Sequence, residues 1–430
     1  MADEEKAGAT SGATAGATAG ATSGATAGAT AGATAGATAG ATAGAKAGSR
    51  GGLGGSSMKQ KCCGSPSRRI CSTLAILVCI IAIVLIAVYA SRTGVGAKDE
   101  AHTQGTQGTC SSGTADTSSI KVMTMNTFMI YCIPGVDTKT FKCQEAGART
   151  ERAKSIGEWF KDRDEDVVLM QEIWSNHDVI RDGMTGAGFC HYVMTEEKHG
   201  SGLAIFSKHP ISEMFFKDWF DAGEQDPLNP ESYIADKGVL YARVMKDKQP
   251  INIFNMHTNS DSRGDSHDVR LTQFNIVKEV VDSKTISVEE LVLFGGDMNE
   301  DKDCRLMNCD RQAKCENRTY YSEMLMALSA EDLEISTETT DPWTYNTESN
   351  AFLKSLYETS ECDQYQYLLD YIFYSIDHLA AKSSSVCEVL NPLSEEGKDL
   401  SDHFPLTCVI DFESLAETNT EPKAETVTEG

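Results

Sequence analysis

The sequence is short of positive charge. Its 38 Lys and Arg stand against 63 Asp and Glu, a formal net charge of −25. The shortage is uneven: residues 91–430 hold 60 acids against 31 bases, whereas residues 1–69 carry a small positive excess. Nucleic acid is bound chiefly through Lys and Arg contacts to phosphate. A domain this acidic is therefore a poor nucleic-acid binder unless a local patch reverses the field. The sequence also lacks a GxSxG elbow, and no Ser or Cys is marked as a nucleophile. Residues 7–45 contain little besides Gly, Ala and Thr, which cannot bury enough apolar surface to offset the entropy of ordering. Charge is absent altogether from Ile70–Ala90.

That uncharged run, ICSTLAILVCIIAIVLIAVYA, is also free of proline. About 20 such residues suffice to cross a bilayer as a helix. The long stretch before it argues against a cleaved signal peptide, and its uniform apolarity argues against a buried core helix. Lys59, Lys61, Arg68 and Arg69 precede it, and Arg92 and Lys98 follow it. This asymmetry places the N-terminus in the cytoplasm and residues 91–430 outside the cell or in a lumen. Ten of the 14 cysteines lie in that C-terminal part, compatible with disulfides. Asn317-Arg318-Thr319 is a glycosylation sequon on the same side. Cys62 and Cys63 beside the apolar run are palmitoylation candidates, or unmodified cytosolic thiols. The expected organisation is a Gly/Ala/Thr tail over 1–69 with Thr every four residues from Thr10 to Thr42, a transmembrane helix over 70–90, a linker over 91–117, a catalytic domain over 118–413, and a disordered acidic tail over 414–430.

Within 118–413, apolar strand-like runs interleave with helical periodicity, which argues an α/β architecture. Strands are expected at 120–127, 167–171, 203–207, 239–245, 251–256, 291–294, 370–374 and 406–412, and helices around 149–161 and 271–281. Polar residues punctuate the strand ends: Asn126, Gln171-Glu172, His257, Asp297 with Asn299, and Asp402-His403. One such residue alone is most simply a cap or a surface group; the set of them is a constellation. Side chains at strand ends of α/β proteins converge on one sheet edge. Glu172, Asp297, Asp402, Asn126 and Asn299 offer hard oxygen donors, suited to Mg²⁺, with Mn²⁺ the alternative, rather than to zinc. His257 and His403 titrate near neutrality and supply an acid and a base. A metal, two histidines and no nucleophile suit attack of water on a phosphodiester. Which histidine is acid and which is base is open at this level.

The segments LMQEIW around Glu172, HGSGLAIFSKHPI (199–211), DKGVLYARV (236–244), NMHTNSD (255–261), GGDMN (295–299), LDYIFY (369–374) and LSDHFP (400–405) follow one another in a familiar order. The chain resembles the endonuclease/exonuclease/phosphatase superfamily and, within it, the neutral Mg²⁺-dependent sphingomyelinases, over about residues 118–413. The resemblance implies a deoxyribonuclease-I-like four-layer sandwich, two mixed β-sheets flanked by helices. It implies Glu172 as metal ligand with Asn126 close by, Asp297 and Asn299 at phosphate, metal or water, and His403 as general base with Asp402 as a further metal contact. It also implies His257 as the second catalytic histidine, Asp370 as the aspartate holding one of the two, and Lys237 near the substrate, where the plainer alternative is a solvated lysine.

Two departures accompany the resemblance. Gly200 and Ser201 offer no acidic partner to the second histidine. The insertion 302–320 shows no aromatic-tipped hairpin and is instead rich in cysteine (Cys304, Cys309, Cys315), read as local disulfides or a metal knuckle. Inositol-polyphosphate phosphatases have Arg-containing sequences where Glu300 and Tyr371 stand here, which weakens that branch. The implied substrate is a membrane sphingolipid, with the bilayer and not nucleic acid as partner. The alternatives are another lipid head group, a nuclease, or a binding ectodomain on an inactive scaffold.

Overall fold

Runs such as Val167–Met170 are apolar at every position because the strands they form are covered on both faces. The computed structural model describes residues 102–106, 110, 116–130, 144–195, 200–219, 236–260, 266–302, 320–339, 341–356 and 365–413. All lie within the second of the chain's two compact units, Val88–Gly430. The tail 1–69, the apolar run 70–90 with Cys62 and Cys63 before it, the sequon at Asn317 and the tail 414–430 fall outside the described residues. Among the described residues no helix is long and apolar enough to cross a membrane.

One sheet contains β1 (His102–Thr106), β2 (Ser119–Asn126), β3 (Val167–Gln171), β4 (His191–Thr195), β5 (Ala204–Ser207), β14 (Val386–Val389) and β15 (Leu406–Asp411), in the order β1-β4-β5-β3-β2-β15-β14. The other contains β6 (Ile211–Asp218), β7 (Gly238–Lys246), β8 (Gln249–His257), β9 (Leu291–Asp297), β10 (Ala330–Asp332) and β13 (Asp370–Ser375), in the order β10-β13-β9-β8-β7-β6. Each sheet is mixed: β2 and β3 run parallel in the first, β8 and β9 in the second, and the remaining pairs are antiparallel. A separate two-stranded piece pairs β11 (Tyr345–Asn346) with β12 (Gln366–Tyr367).

Successive strand residues point to opposite faces, and the buried clusters divide by that parity. Ile120, Val122, Val167 and Leu169 of the first sheet meet Ile251, Ile253, Leu291, Leu293 and Ile372 of the second. The alternate residues Met123, Val168 and Met170 pack outward on helices α1 (Ala146–Trp159) and α2 (His177–Gly186). On the far side Phe254, Val292 and Phe294 pack on α3 (Ser266–Ser283) and α4 (Tyr320–Leu328). The result is the four-layer sandwich. A short α5 (Ala351–Leu356) follows β11.

The inter-sheet layer is polar near both ends. At one end Asn255 donates its amide to the Met170 and Ala204 carbonyls, both at 2.9 Å, and accepts from Gln171 at 2.8 Å. One side chain of β8 thereby ties the two sheets together. At the other end Lys246 is fully buried and bridges Asp166 at 2.9 Å, while His209 meets the second Asp166 oxygen at 2.8 Å. Beside Asn255, its register partner Gly295 lets the sheets approach, since a Cβ there would stand 2.5 Å from the Leu169 Cδ1.

The linker expected over 91–117 needs correction. Residues 102–106 form β1, paired in register with β4, and Cys110 is bonded to Cys190. His-Thr-Gln-Gly-Thr has no apolar signal, and its pairing comes from an edge of the sheet and a covalent tie. A second disulfide, Cys387–Cys408, joins directly opposed residues of β14 and β15.

Two outcomes follow from this packing. Gly296 has φ of +134° and a Cβ there would meet the Met256 carbonyl oxygen at 1.9 Å. Gly296→Ala is expected to cost about 2–4 kcal/mol in urea unfolding. Gly295→Ala, which meets only a movable leucine methyl, is expected to cost about 1 kcal/mol. Burial alone would raise the Asp166 carboxyl, but the His209, Lys121 and Lys246 contacts hold it below its ordinary 3.8. Its contribution is present above that value and lost as pH falls through the depressed one. Asp166→Asn is therefore expected to flatten the acid limb of the stability–pH curve.

Candidate active site

Parity and register build the site. Asn126, His257, Asp297 and Asp370 all have the inward parity of their strands, at the end where the apolar layer gives out. His257 is the register partner of Asp297 across β8 and β9, and Asp297 is that of Asp370 across β9 and β13. Three chemistry-bearing side chains thus stand abreast on adjacent strands. Asn126 comes from the other sheet, where its register partner is Gln171.

Glu172 follows β3 with φ of +60°, and Asn299 follows β9 with φ of +49°. Left-handed backbone at non-glycine residues costs about 1–2 kcal/mol each. Glu172 is held there by its neighbours: Met129 and Trp174 both donate to its carbonyl, at 3.1 and 2.9 Å. Asn299 is held by its own N–H, which donates to Asp297 Oδ1 at 3.1 Å, and by its amide on the Thr258 carbonyl at 3.3 Å.

The Asn126 amide nitrogen donates to Glu172 Oε1 at 2.9 Å and to Asp297 Oδ2 at 3.0 Å. His257 Nε2 stands 3.8 Å from Glu172 and 3.6 Å from Asp297. Lys237, buried, places Nζ 3.0 Å from His257 Nε2 and 3.3 Å from the Thr258 carbonyl. On the other side His403 Nδ1 meets Asp370 Oδ2 at 2.7 Å, and its Nε2 lies 3.9 Å from Asp297. Glu172, His257 and Asp297 form one group of close donor atoms, and Asp297, Asp370 and His403 form another. Asp297 belongs to both.

The environment separates the titrating groups. Burial pushes His257 well below its ordinary range, and the Lys237 and His403 charges act in the same direction. For His403 burial also acts downward, but Asp370 and Asp297 carry it well above the usual imidazole value. Burial raises Asp297 to about 6, against the opposing pull of His403. Opposite shifts in one cleft are the mark of divided acid and base roles.

Two expected ligands stand outside these groups of close donors. Asn126 Oδ1 accepts the Phe128 N–H at 3.0 Å while its NH₂ group holds two carboxylates. Asp402 joins neither group of close donors. Its Oδ1 accepts the Ser401 hydroxyl at 3.2 Å, and its raised pKa reflects burial, opposed by His403 and Arg152. Among the described residues His257 Nδ1 is buried without a hydrogen-bond partner, and the ring packs 5.9 Å from Trp174. The remaining expectations, Lys237, His257, Asp297, Asn299, Asp370, His403 and Glu172, come together at one end of the inter-sheet layer.

Several contributors escaped the sequence reading. Arg152 on α1 donates to the Thr127, Phe128 and Leu400 carbonyls, joining the loop after β2 to the segment that carries His403. Its signal was available, since it sits on the buried stripe with Ala153 and Ile156. Ser401 donates to the Asn126 carbonyl at 2.7 Å, and the Trp219 indole to the His257 carbonyl at 3.0 Å. Neither has a sequence signal beyond lying beside a motif.

The profile of the Endonuclease/Exonuclease/phosphatase family matches residues 123–403. The chain belongs to that family. Sphingomyelinase C of Bacillus cereus is 25% identical over 341 residues, covering 70% of this chain and 92% of that protein. An inositol phosphosphingolipids phospholipase C of Schizosaccharomyces pombe is 34% identical over 116 residues, 25% of this chain and 26% of that one. The crystal structure of beta toxin from Staphylococcus aureus superposes with a TM-score of 0.51 at 22% identity, over 67% of this chain and 99% of that chain, and shares the fold. The chain is accordingly a hydrolase of this family.

The His403–Asp370 pair is expected to act as a unit. Asp370→Asn keeps the size of the side chain and removes its charge, so it should lower kcat on a chromogenic phosphodiester by about 10²–10⁴ with little change in urea stability.

Proposed function

We propose that this chain is a membrane-anchored phosphodiesterase that hydrolyses sphingomyelin to ceramide and phosphocholine. The observation that carries the reading is the alignment of His257, Asp297 and Asp370 on three neighbouring strands, closed by Glu172 and His403. Its sphingolipid direction is supported by the likeness to a sphingomyelinase C over most of both chains.

The donor set fits a hard divalent cation. Glu172 and Asp297 present carboxylate oxygens close together on one neutral amide donor, and oxygen donors select Mg²⁺ or Mn²⁺. Glu172 and Asp297 would hold the ion, which when bound supplies positive charge against the phosphodiester. The residues themselves account for the proton movements. His403 acts in its neutral form: Nε2 takes a proton from the attacking water, and Asp370 on Nδ1 fixes the tautomer and stabilises the imidazolium that forms. A cation held by Asp297 would oppose the carboxylate charge that otherwise keeps this imidazole protonated. The new P–O bond forms as the phosphorus–ceramide oxygen bond breaks. The leaving alkoxide receives its proton in the region of the Lys237–His257 pair, whose ammonium also offsets the developing charge. Asn299, fixed by its backbone, orients the phosphoryl group.

Anchoring through Ile70–Ala90 would keep such a site beside its lipid, with the N-terminus cytoplasmic and the catalytic domain extracellular or lumenal. The disulfides Cys110–Cys190 and Cys387–Cys408, found among the described residues, support an oxidising compartment. The fission-yeast likeness favours a second head group, inositol phosphate, on the same machinery.

The test is hydrolysis by the purified full-length chain in mixed micelles. Sphingomyelin, its inositol- and ethanolamine-phosphate analogues and plasmid DNA are compared with Mg²⁺ and with chelator. The expected result is metal-dependent release of phosphocholine, abolished by His403→Ala. Glu172→Gln should raise the Mg²⁺ concentration for half-maximal rate by about tenfold or more. Preference for the inositol analogue would move the head group and keep the mechanism; cleavage of DNA alone would overturn the lipid reading.

A further inference from the structure

Beside His403 stand three tyrosines that the hydrolytic scheme does not use. Tyr345 of β11 and Tyr367 of β12 are register partners, with rings stacked at 6.3 Å and 26°. Tyr365 lies two residues before Tyr367, hence on the same face, and stacks on it at 5.7 Å and 24°. The inner end of the row touches the chemistry: Tyr345 meets the His403 ring edge-on at 5.0 Å. All three residues are half-buried. The row is also held firmly. Thr344, next to Tyr345, accepts the Phe404 N–H at 2.7 Å through its carbonyl and the Asp370 N–H at 3.2 Å through its hydroxyl. The Tyr365 N–H donates to the Thr347 hydroxyl at 2.7 Å.

We propose that the Tyr345–Tyr367–Tyr365 row is a subsite for a quaternary ammonium, the trimethylammonium of the substrate's choline. This rests on the sphingomyelin reading above and deepens it. A trimethylammonium has no N–H to donate and is weakly hydrated, so carboxylates cannot recognise it by hydrogen bonds. Aromatic faces within about 6 Å attract it through the ring quadrupole and shed little water in doing so. A primary ammonium has the opposite needs, since it demands charged acceptors for its three protons. A row of phenol rings rooted on His403 therefore discriminates between two cationic head groups of equal charge. Its orientation also serves the reaction, because phosphocholine keeps its choline when the ceramide oxygen departs.

The test measures a ratio. For the full-length chain in mixed micelles, kcat/KM is determined for sphingomyelin and for its ethanolamine-phosphate analogue. The sphingomyelin preference is expected to fall about tenfold in Tyr367→Ala and to persist in Tyr367→Phe, which keeps the ring and loses the hydroxyl. An unchanged ratio, or equal loss on both substrates, overturns the subsite and leaves the rings as structural. Calorimetric binding of phosphocholine and phosphoethanolamine gives a readout without turnover. The wild type should hold phosphocholine more tightly, and Tyr367→Ala should erase the difference; equal affinities in the wild type overturn the subsite. A binding difference with no turnover of any sphingolipid would instead overturn the phosphodiesterase reading and keep the subsite.

Discussion

One amide nitrogen holds the site together. Asn126 ends a strand of one sheet and donates to Glu172 beside it and to Asp297 on the facing sheet. Two carboxylates brought this close repel one another, and the shared donor offsets that repulsion. The distance between the sheets at this edge decides whether one amide can reach both. Asn255, one layer deeper, ties β8 to the Met170 carbonyl and to Gln171, and Gly295 leaves room for Leu169. Catalytic spacing here is a property of sheet packing rather than of a loop.

The same packing explains the electrostatics. The groups are buried because they sit at the rim of a sandwich core, and burial alone would neutralise each of them. Pairing then sorts them. His403 faces two carboxylates and is driven toward its charged form, while His257 faces Lys237 and is driven away from it. Two imidazoles of equal intrinsic chemistry are shifted in opposite directions because their neighbours differ.

Much of this was legible in the sequence, for reasons tied to particular residues. The central strands carry strong apolar runs, and Glu172, His257 and Asp297 interrupt those runs at their ends, so both strand and site were visible together. Parity was not visible. With both faces buried, Val167–Met170 gives no alternation from which to tell that Gln171 and Asn255 point inward. The edge strand His102–Thr106 was missed because its register comes from a partner and a disulfide instead of from its composition. Adjacent residues in an irregular loop need not share a direction, and the hydrogen bond from Ser401 to Asp402 has no signal in the motif that contains them. Arg152 was passed over because an arginine on an apolar helical stripe reads as an interruption, whereas here it satisfies three carbonyls at once.

The tie between Cys110 and Cys190 has a mechanical meaning. β1 lies at the sheet edge, immediately upstream of Cys110, and β4 begins immediately after Cys190. Tension arriving along the chain from the N-terminal side can peel β1 from its partner, but it meets a covalent stop before reaching β2. From there the load passes into β4, an interior strand hydrogen-bonded on both sides. The strand that carries Asn126 would be shielded from any pull exerted on the chain upstream.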